Sequence, residues 1–111
     1  MSEMSLRGLQ SAIDQWIKQN GGYWDEMSLL ARLTEEVGEL AREYNHQFGA
    51  KKKKATETTS SVEDELADVL WLILCMANQQ NVDMEAAFER VMTKLQVRDA
   101  NRFTSGSGQS T

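Results

Sequence analysis

Apolar residues return at steps of three and four along most of this chain, in four stretches separated by glycine-containing or polar breaks. Leu6, Leu9, Ile13, Trp16 and Ile17 predict a first helix from about Ser5 to Asn20, ended by Gly21 and Gly22. Gly21 to Glu26 reads as a short loop. Its neighbouring aromatics, Tyr23 and Trp24, either plug the core or offer a stacking surface to a base. A second helix is expected from about Met27 to Phe48, with Leu29, Leu30, Leu33, Val37, Leu40, Ala41, Tyr44 and Phe48 as its stripe.

From Gly49 to Ser61 the chain turns polar and is expected to form a mobile loop. Its run Lys51 to Lys54 is either simply solvated or an attraction for phosphate. Ser60 and Ser61, with Glu63 and Asp64 three residues after each, offer capping-box starts to a third helix. That helix contains the run Val69 to Ala77 and is apolar nearly all round, which predicts the central, most buried element. A strand competes for the same run, but its length and helix-compatible flanks favour the helix. Asn81 to Asp83 form a turn, and Asp83 can cap a fourth helix reaching about Arg98 or a little beyond. Ala87, Phe88, Val91, Met92 and Leu95 are its expected core face, and Trp16 and Trp71 also read as core. The Ser/Gly-rich end, Thr104 to Thr111, is expected to be disordered. The pattern is thus one all-α domain over residues 1–103, followed by a tail, 104–111.

Composition adds limits. A chain of 111 residues makes one domain. At this size only about two-thirds of the unfolded surface is buried, so a partner subunit is expected to help. The absence of proline permits long unbroken helices. A net charge of −5 argues against a general nucleic-acid binder, although divalent cations can mediate contact with a nucleotide's phosphates. The single cysteine, Cys75, has no intramolecular disulfide partner. With no stretch resembling a signal peptide and no apolar run long enough to span a bilayer, the expected location is cytoplasmic.

The informative chemistry is acidic. Glu35-Glu36-Val-Gly-Glu39 and Glu65-Leu-Ala-Asp68 each hold carboxylates three apart, which point together on a helix. Taking Glu65 as origin, Asp68 falls near −60°, Leu72 near −20° and Met76 near +20°, so the acids continue an apolar stripe. Glu36 lies at the edge of the second helix's stripe, with Glu39 and Glu43 flanking it outside. Ionised acids on such faces are unfavourable unless compensated, and Arg32 and Arg42 cannot easily satisfy all of them. Oxygen-only ligands suit Mg²⁺ or Mn²⁺ far better than zinc. Solvated helix-face acids are the alternative, and it weakens because two pairs share the pattern. Gly38, which weakens a helix interior, is either a point of close approach or merely tolerated. Glu43-x-x-His46 is the unit of di-iron bundles, but such sites need two, and this chain has one histidine.

Glu-Glu-x-x-Glu, a spacer, then Glu-x-x-Asp resembles the signature of MazG-type pyrophosphohydrolases, within the all-α NTP pyrophosphatase group. Here it reads Glu35, Glu36, Glu39, then Glu65 and Asp68. The flanking Leu33 to Arg42 and Glu65 to Leu70 are similar to the family, as is the basic ending Lys94 to Phe103. The resemblance implies a four-helix bundle-like fold and a homo-oligomer, either a homodimer or a dimer of dimers. It also implies Mg²⁺-dependent cleavage of a nucleoside triphosphate to the monophosphate and pyrophosphate, with Mn²⁺ able to substitute. Carried over, Glu36, Glu39, Glu65 and Asp68 are the metal ligands, and Lys94, Arg98 and Arg102 are candidates for phosphate contacts.

The residues themselves suggest Glu36 or Glu39 as the base that accepts a proton from water. No Ser-His-Asp set and no GxxxxGK[ST] loop is present, so no covalent intermediate is suggested. Trp24 and His46 are candidate contacts to the base, with His46 equally readable as a surface residue. The expected function is house-cleaning hydrolysis of ordinary or modified (d)NTPs, with no membrane or nucleic-acid polymer as partner. The alternative is a metal- and nucleotide-binding regulatory or dimerisation module with little turnover.

Overall fold

The computed structural model describes residues 4–49 and 61–105, with the backbone alone for 99–105. Four helices follow in order: α1 (Leu6–Gln19), α2 (Glu26–Phe48), α3 (Val62–Gln79) and α4 (Met84–Ser105). No strand occurs among the described residues. The expected mobile segment with its lysine run lies outside them at residues 50–60, as do residues 106–111 of the expected tail; helix α4 itself runs to Ser105.

Each helix start has a physical cause. Ser5, Asp25 and Ser61 sit in extended backbone, and each side-chain oxygen accepts an amide three residues on, which meets an otherwise unpaired donor. Asp83 does the same for α4 by accepting from the amides of Glu85 and Ala86. After α1, Gly21 and Gly22 take φ of 107° and 88°, and the amide of Gly22 closes on the carbonyl of Ile17 at 2.9 Å. Only glycine enters that region without strain, which is why the helix stops there.

The core is small. Ile13 and Ile17 of α1, Leu29 of α2, and Leu72, Leu74 and Cys75 of α3 form it, with Leu33, Met76 and Met84 packed at its edge. Helix α3 is central, as its run predicts: α2 and α1 both pack on it, while α4 packs on α1. The junction of α1, α3 and α4 is polar. Buried Gln10 donates to Asn78 Oδ1 at 3.0 Å and to the Val82 carbonyl at 2.7 Å, and its Oε1 accepts from the Met84 amide at 3.0 Å. Asn78 returns a bond to the Gln10 carbonyl at 2.9 Å. Outside this hub, Arg7 pairs with Asp83 and Glu85 at the start of α4.

Several sequence expectations need correction. The core face assigned to α4 is largely uncovered, with Phe88, Val91 and Met92 all exposed. The same holds on α2 for Val37, Tyr44 and Phe48, and on α3 for Leu66 and Leu70. One chain has too few elements to cover four amphipathic helices, so stripes that the periodicity marks as core are left facing outward. Trp16 and Trp71 are not core either: they are 56% and 38% exposed. Glu43, expected on the outside, is buried. A side chain at Gly38 would meet nothing within 4 Å, so no close approach among the described residues accounts for that glycine.

Candidate functional site

Helices α2 and α3 place the acids. Leu29 and Leu33 pack against α3, and the same face of α2, one turn on, carries Glu36. On α3, Leu72 is seven residues after Glu65, so its burial turns Glu65 toward α2 as well. The result is a group of three: Glu36, Glu65 and Asp68 each offer an oxygen, all within 4.8 Å of one another. Glu65 is only 6% exposed, the Glu36 side chain retains 13%, and Asp68 opens to solvent.

Burial pushes the Glu36 carboxyl above its ordinary range, and Asp68, Glu65 and Glu39 add to the rise; the Arg32 guanidinium opposes it. Arg32 Nη2 lies 3.4 Å from Glu36 Oε1, a loose ion pair one turn back on α2. Three carboxylates converging from two rigid helices make a hard, oxygen-only donor set, with an open side at Asp68. That set fits a small divalent cation such as Mg²⁺, which takes a few carboxylates and keeps several waters.

Glu36 and Asp68 line a cavity of about 420 Å³ built from α1, α2, α3 and the α1–α2 loop. Its other walls are aromatic. Trp16 and Trp71 meet edge to face, with centroids 5.7 Å apart, and Trp24 stands beside them. The loop carrying Trp24 is held from both sides. Gln79 Nε2 donates to the Trp24 carbonyl at 2.6 Å, and the Tyr23 hydroxyl donates to Asp14 Oδ1 at 2.6 Å. Burial, then the Asp14 bond, pushes the Tyr23 phenol up to about 12, so it stays a neutral donor. Carboxylates and flat apolar surface in one cavity suit an amphiphilic anion whose charge is bridged by a cation.

The other residues singled out from sequence fall elsewhere. Glu39 is half exposed, 4.0 Å from Arg42, and outside the tight group of three. His46 is nearly buried, its Nδ1 4.0 Å from Glu43 Oε2, and it does not line the cavity. Lys94 and Arg98 are exposed on α4, along a shallow apolar groove of that helix, and they do not line the cavity either. Arg102 lies within α4, with its side chain outside the described residues. Three cavity residues went unassigned: Trp16, Trp71 and Arg32. Two of them had a signal, since Trp71 is three residues after Asp68 and Arg32 four before Glu36, on the same helix faces.

Comparison with known proteins bears on the family and the fold. The family model for the MazG nucleotide pyrophosphohydrolase domain matches residues 25–103. YpjD of Bacillus subtilis, a protein described as uncharacterized, is 46% identical over 105 residues, covering 94% of this chain and 95% of the relative. The crystal structure of a candidate pyrophosphatase, YPJD from Bacillus subtilis, has a TM-score of 0.74 at 46% identity, over 85% of this chain and 97% of that one. A Bacillus-conserved MazG protein, described as a nucleotide pyrophosphohydrolase, has a TM-score of 0.72 at 42% identity, over 86% and 93%.

Proposed function

Because the chain belongs to the MazG nucleotide pyrophosphohydrolase family, we propose that it hydrolyses nucleoside triphosphates to the monophosphate and pyrophosphate with Mg²⁺, which Mn²⁺ can replace. The observation that carries this is the convergence of Glu36, Glu65 and Asp68, two of which, Glu36 and Asp68, line a cavity rich in aromatic side chains. In this reading those three acids would hold the cation, with Glu39 as a fourth candidate ligand. The bound ion supplies charge neutralisation across the phosphates and acidifies a water.

The chain's own residues do the rest. Trp24, with Trp16 and Trp71, receives the base and excludes water around it. Water attacks the α-phosphorus, the bond from that phosphorus to the bridging oxygen breaks, and pyrophosphate leaves with the electron pair. Glu39, outside the tight group, accepts the water's proton; Glu36, three residues before it on the same helix, is the second candidate.

Lys94, Arg98 and Arg102 are assigned to the phosphates, and His46 to holding the end of α2 beside the site. Among the described residues, no α4 side chain lines the cavity. The exposed stripes on α2 and α4 therefore support a homodimer, or a dimer of dimers, in which α4 packs on a second copy and brings its basic residues to the phosphates. House-cleaning of ordinary or modified (d)NTPs in the cytoplasm is the setting we infer.

A panel of ordinary and modified NTPs and dNTPs, incubated with Mg²⁺ and assayed separately for pyrophosphate and orthophosphate, tests the proposal. Pyrophosphate with equimolar monophosphate is expected. Ligand-induced stabilisation without either product would instead select a nucleotide-sensing module.

A further inference from the structure

The cavity holds one feature that metal coordination and base stacking do not use. Among the described residues lining it, Arg32 is the only cationic one. It stands on α2 one turn before Glu36, and the same cavity is lined by Trp24 and Asp68. Around it the cavity offers two carboxylates, Glu36 and Asp68, as anionic neighbours. In this structure the partner is Glu36, at 3.4 Å.

That pairing is weak by its own geometry. A strong guanidinium–carboxylate bond closes to about 2.7–2.9 Å and is often bidentate. Here the contact is longer, involves one nitrogen and leaves the Arg32 side chain 49% exposed. A divalent cation drawing on Glu36 competes directly with a single, loosely held positive charge. Once Glu36 turns to a metal, Arg32 is left on the cavity wall it shares with Asp68 and Trp24, where a phosphate can take the place of the Glu36 carboxylate.

We propose that Arg32 is an exchangeable counter-ion: it neutralises Glu36 in the metal-free protein, and metal binding releases it to bind the α-phosphate of the substrate. This rests on the triphosphate reading above. It makes Arg32 a catalytic residue, because the α-phosphorus is the reacting atom and negative charge on its oxygens must be held during attack. The exchange also couples two binding events. Metal and nucleotide should assist each other beyond direct bridging, since each removes a reason for Arg32 to stay on Glu36.

The two roles have opposite signs under one substitution, which a merely structural arginine would not show. With Arg32→Gln, Mn²⁺ alone should bind more tightly, by about two- to fivefold, because a competing charge is gone. An α,β-methylene deoxynucleoside triphosphate with Mn²⁺ should bind more weakly, by roughly 10- to 100-fold, the loss expected for a charge-assisted bond to phosphate. Arg32→Lys should keep wild-type Mn²⁺ affinity while losing part of the nucleotide affinity, because an ammonium retains the charge without the planar fork. It also serves if Arg32→Gln fails to fold. Calorimetry on the intact protein reads all of these. Unchanged or weaker Mn²⁺ binding in Arg32→Gln, or nucleotide affinity equal to wild type in either variant, overturns the exchange while leaving the metal site standing. Absence of Mn²⁺ binding in the wild type would overturn both.

Discussion

Asp68→Asn separates catalysis from folding most cleanly. The substitution keeps shape and removes one of three charges packed within 4.8 Å. At that separation and an effective dielectric of about 20, each carboxylate pair repels by roughly 3 kcal/mol. Asp68 is open to solvent and Arg32 already offsets part of the charge on Glu36, so the relief that survives screening is about 1 kcal/mol. The metal-free variant should therefore melt about 4–8 °C above wild type, measured by circular dichroism in EDTA. Added Mg²⁺ should reverse the order. At a hundred times its Kd, an ion that binds only the folded state adds about 2.7 kcal/mol, and a variant with a weakened site gains much less. Pyrophosphate release should fall by at least about 100-fold, the scale of losing a major electrostatic contributor. Glu63→Gln is the control, since Glu63 is exposed and outside the acidic group. Lower stability of metal-free Asp68→Asn together with a wild-type melting curve indifferent to Mg²⁺ would refute the reasoning. So would equal activity in Asp68→Asn and Glu63→Gln.

Assembly is checked by light scattering: the uncovered stripes predict at least a dimer, and a folded monomer at micromolar concentration would contradict it. Gly38→Ala probes the same surface. The site is open within one chain, so an isolated helix gains about 1 kcal/mol, and a loss of stability or of assembly would instead place a second copy's backbone there. For pH, Arg7 and the amides at the start of α4 hold the Asp83 carboxyl below its ordinary range. Its contribution is thus full above the ordinary aspartate pKa and lost as pH falls through the lower folded value, and Asp83→Asn should flatten that acid limb in a pH series of melting curves.

Helices were readable because their signals are local. Ser61 and Asp83 cap where their spacing says, and Gly21-Gly22 stop α1 through backbone conformations set by the glycines themselves. The acid pair on α3 was readable for the same reason, since a three-residue step fixes direction without knowledge of neighbours. What failed depends on partners. Phe88 and Val91 have the periodicity of a core face, but periodicity marks a surface that wants cover and is silent on which chain covers it. Trp16 and Trp71 were misplaced because residue type favours burial, whereas a cavity wall is apolar and open at once. Glu39 shares a three-residue step with Glu36, yet it stays half exposed beside Arg42, and a one-helix pattern does not say which of two acids a second helix will meet.

The junction at Gln10 has a consequence for motion. Its amide nitrogen is shared between Asn78 and the Val82 carbonyl, while its oxygen takes the first amide of α4. Helix α1 thus completes the start of α4, and with so little apolar cover α4 has few other holds on this chain. The two helices should open as one cooperative unit, so amide protons early in α4 exchange with solvent at the rate at which α1 undocks. Gln10→Ala would then loosen α4 although the residue lies at the other end of the sequence, while α2 and α3, packed on each other, would keep their slow exchange.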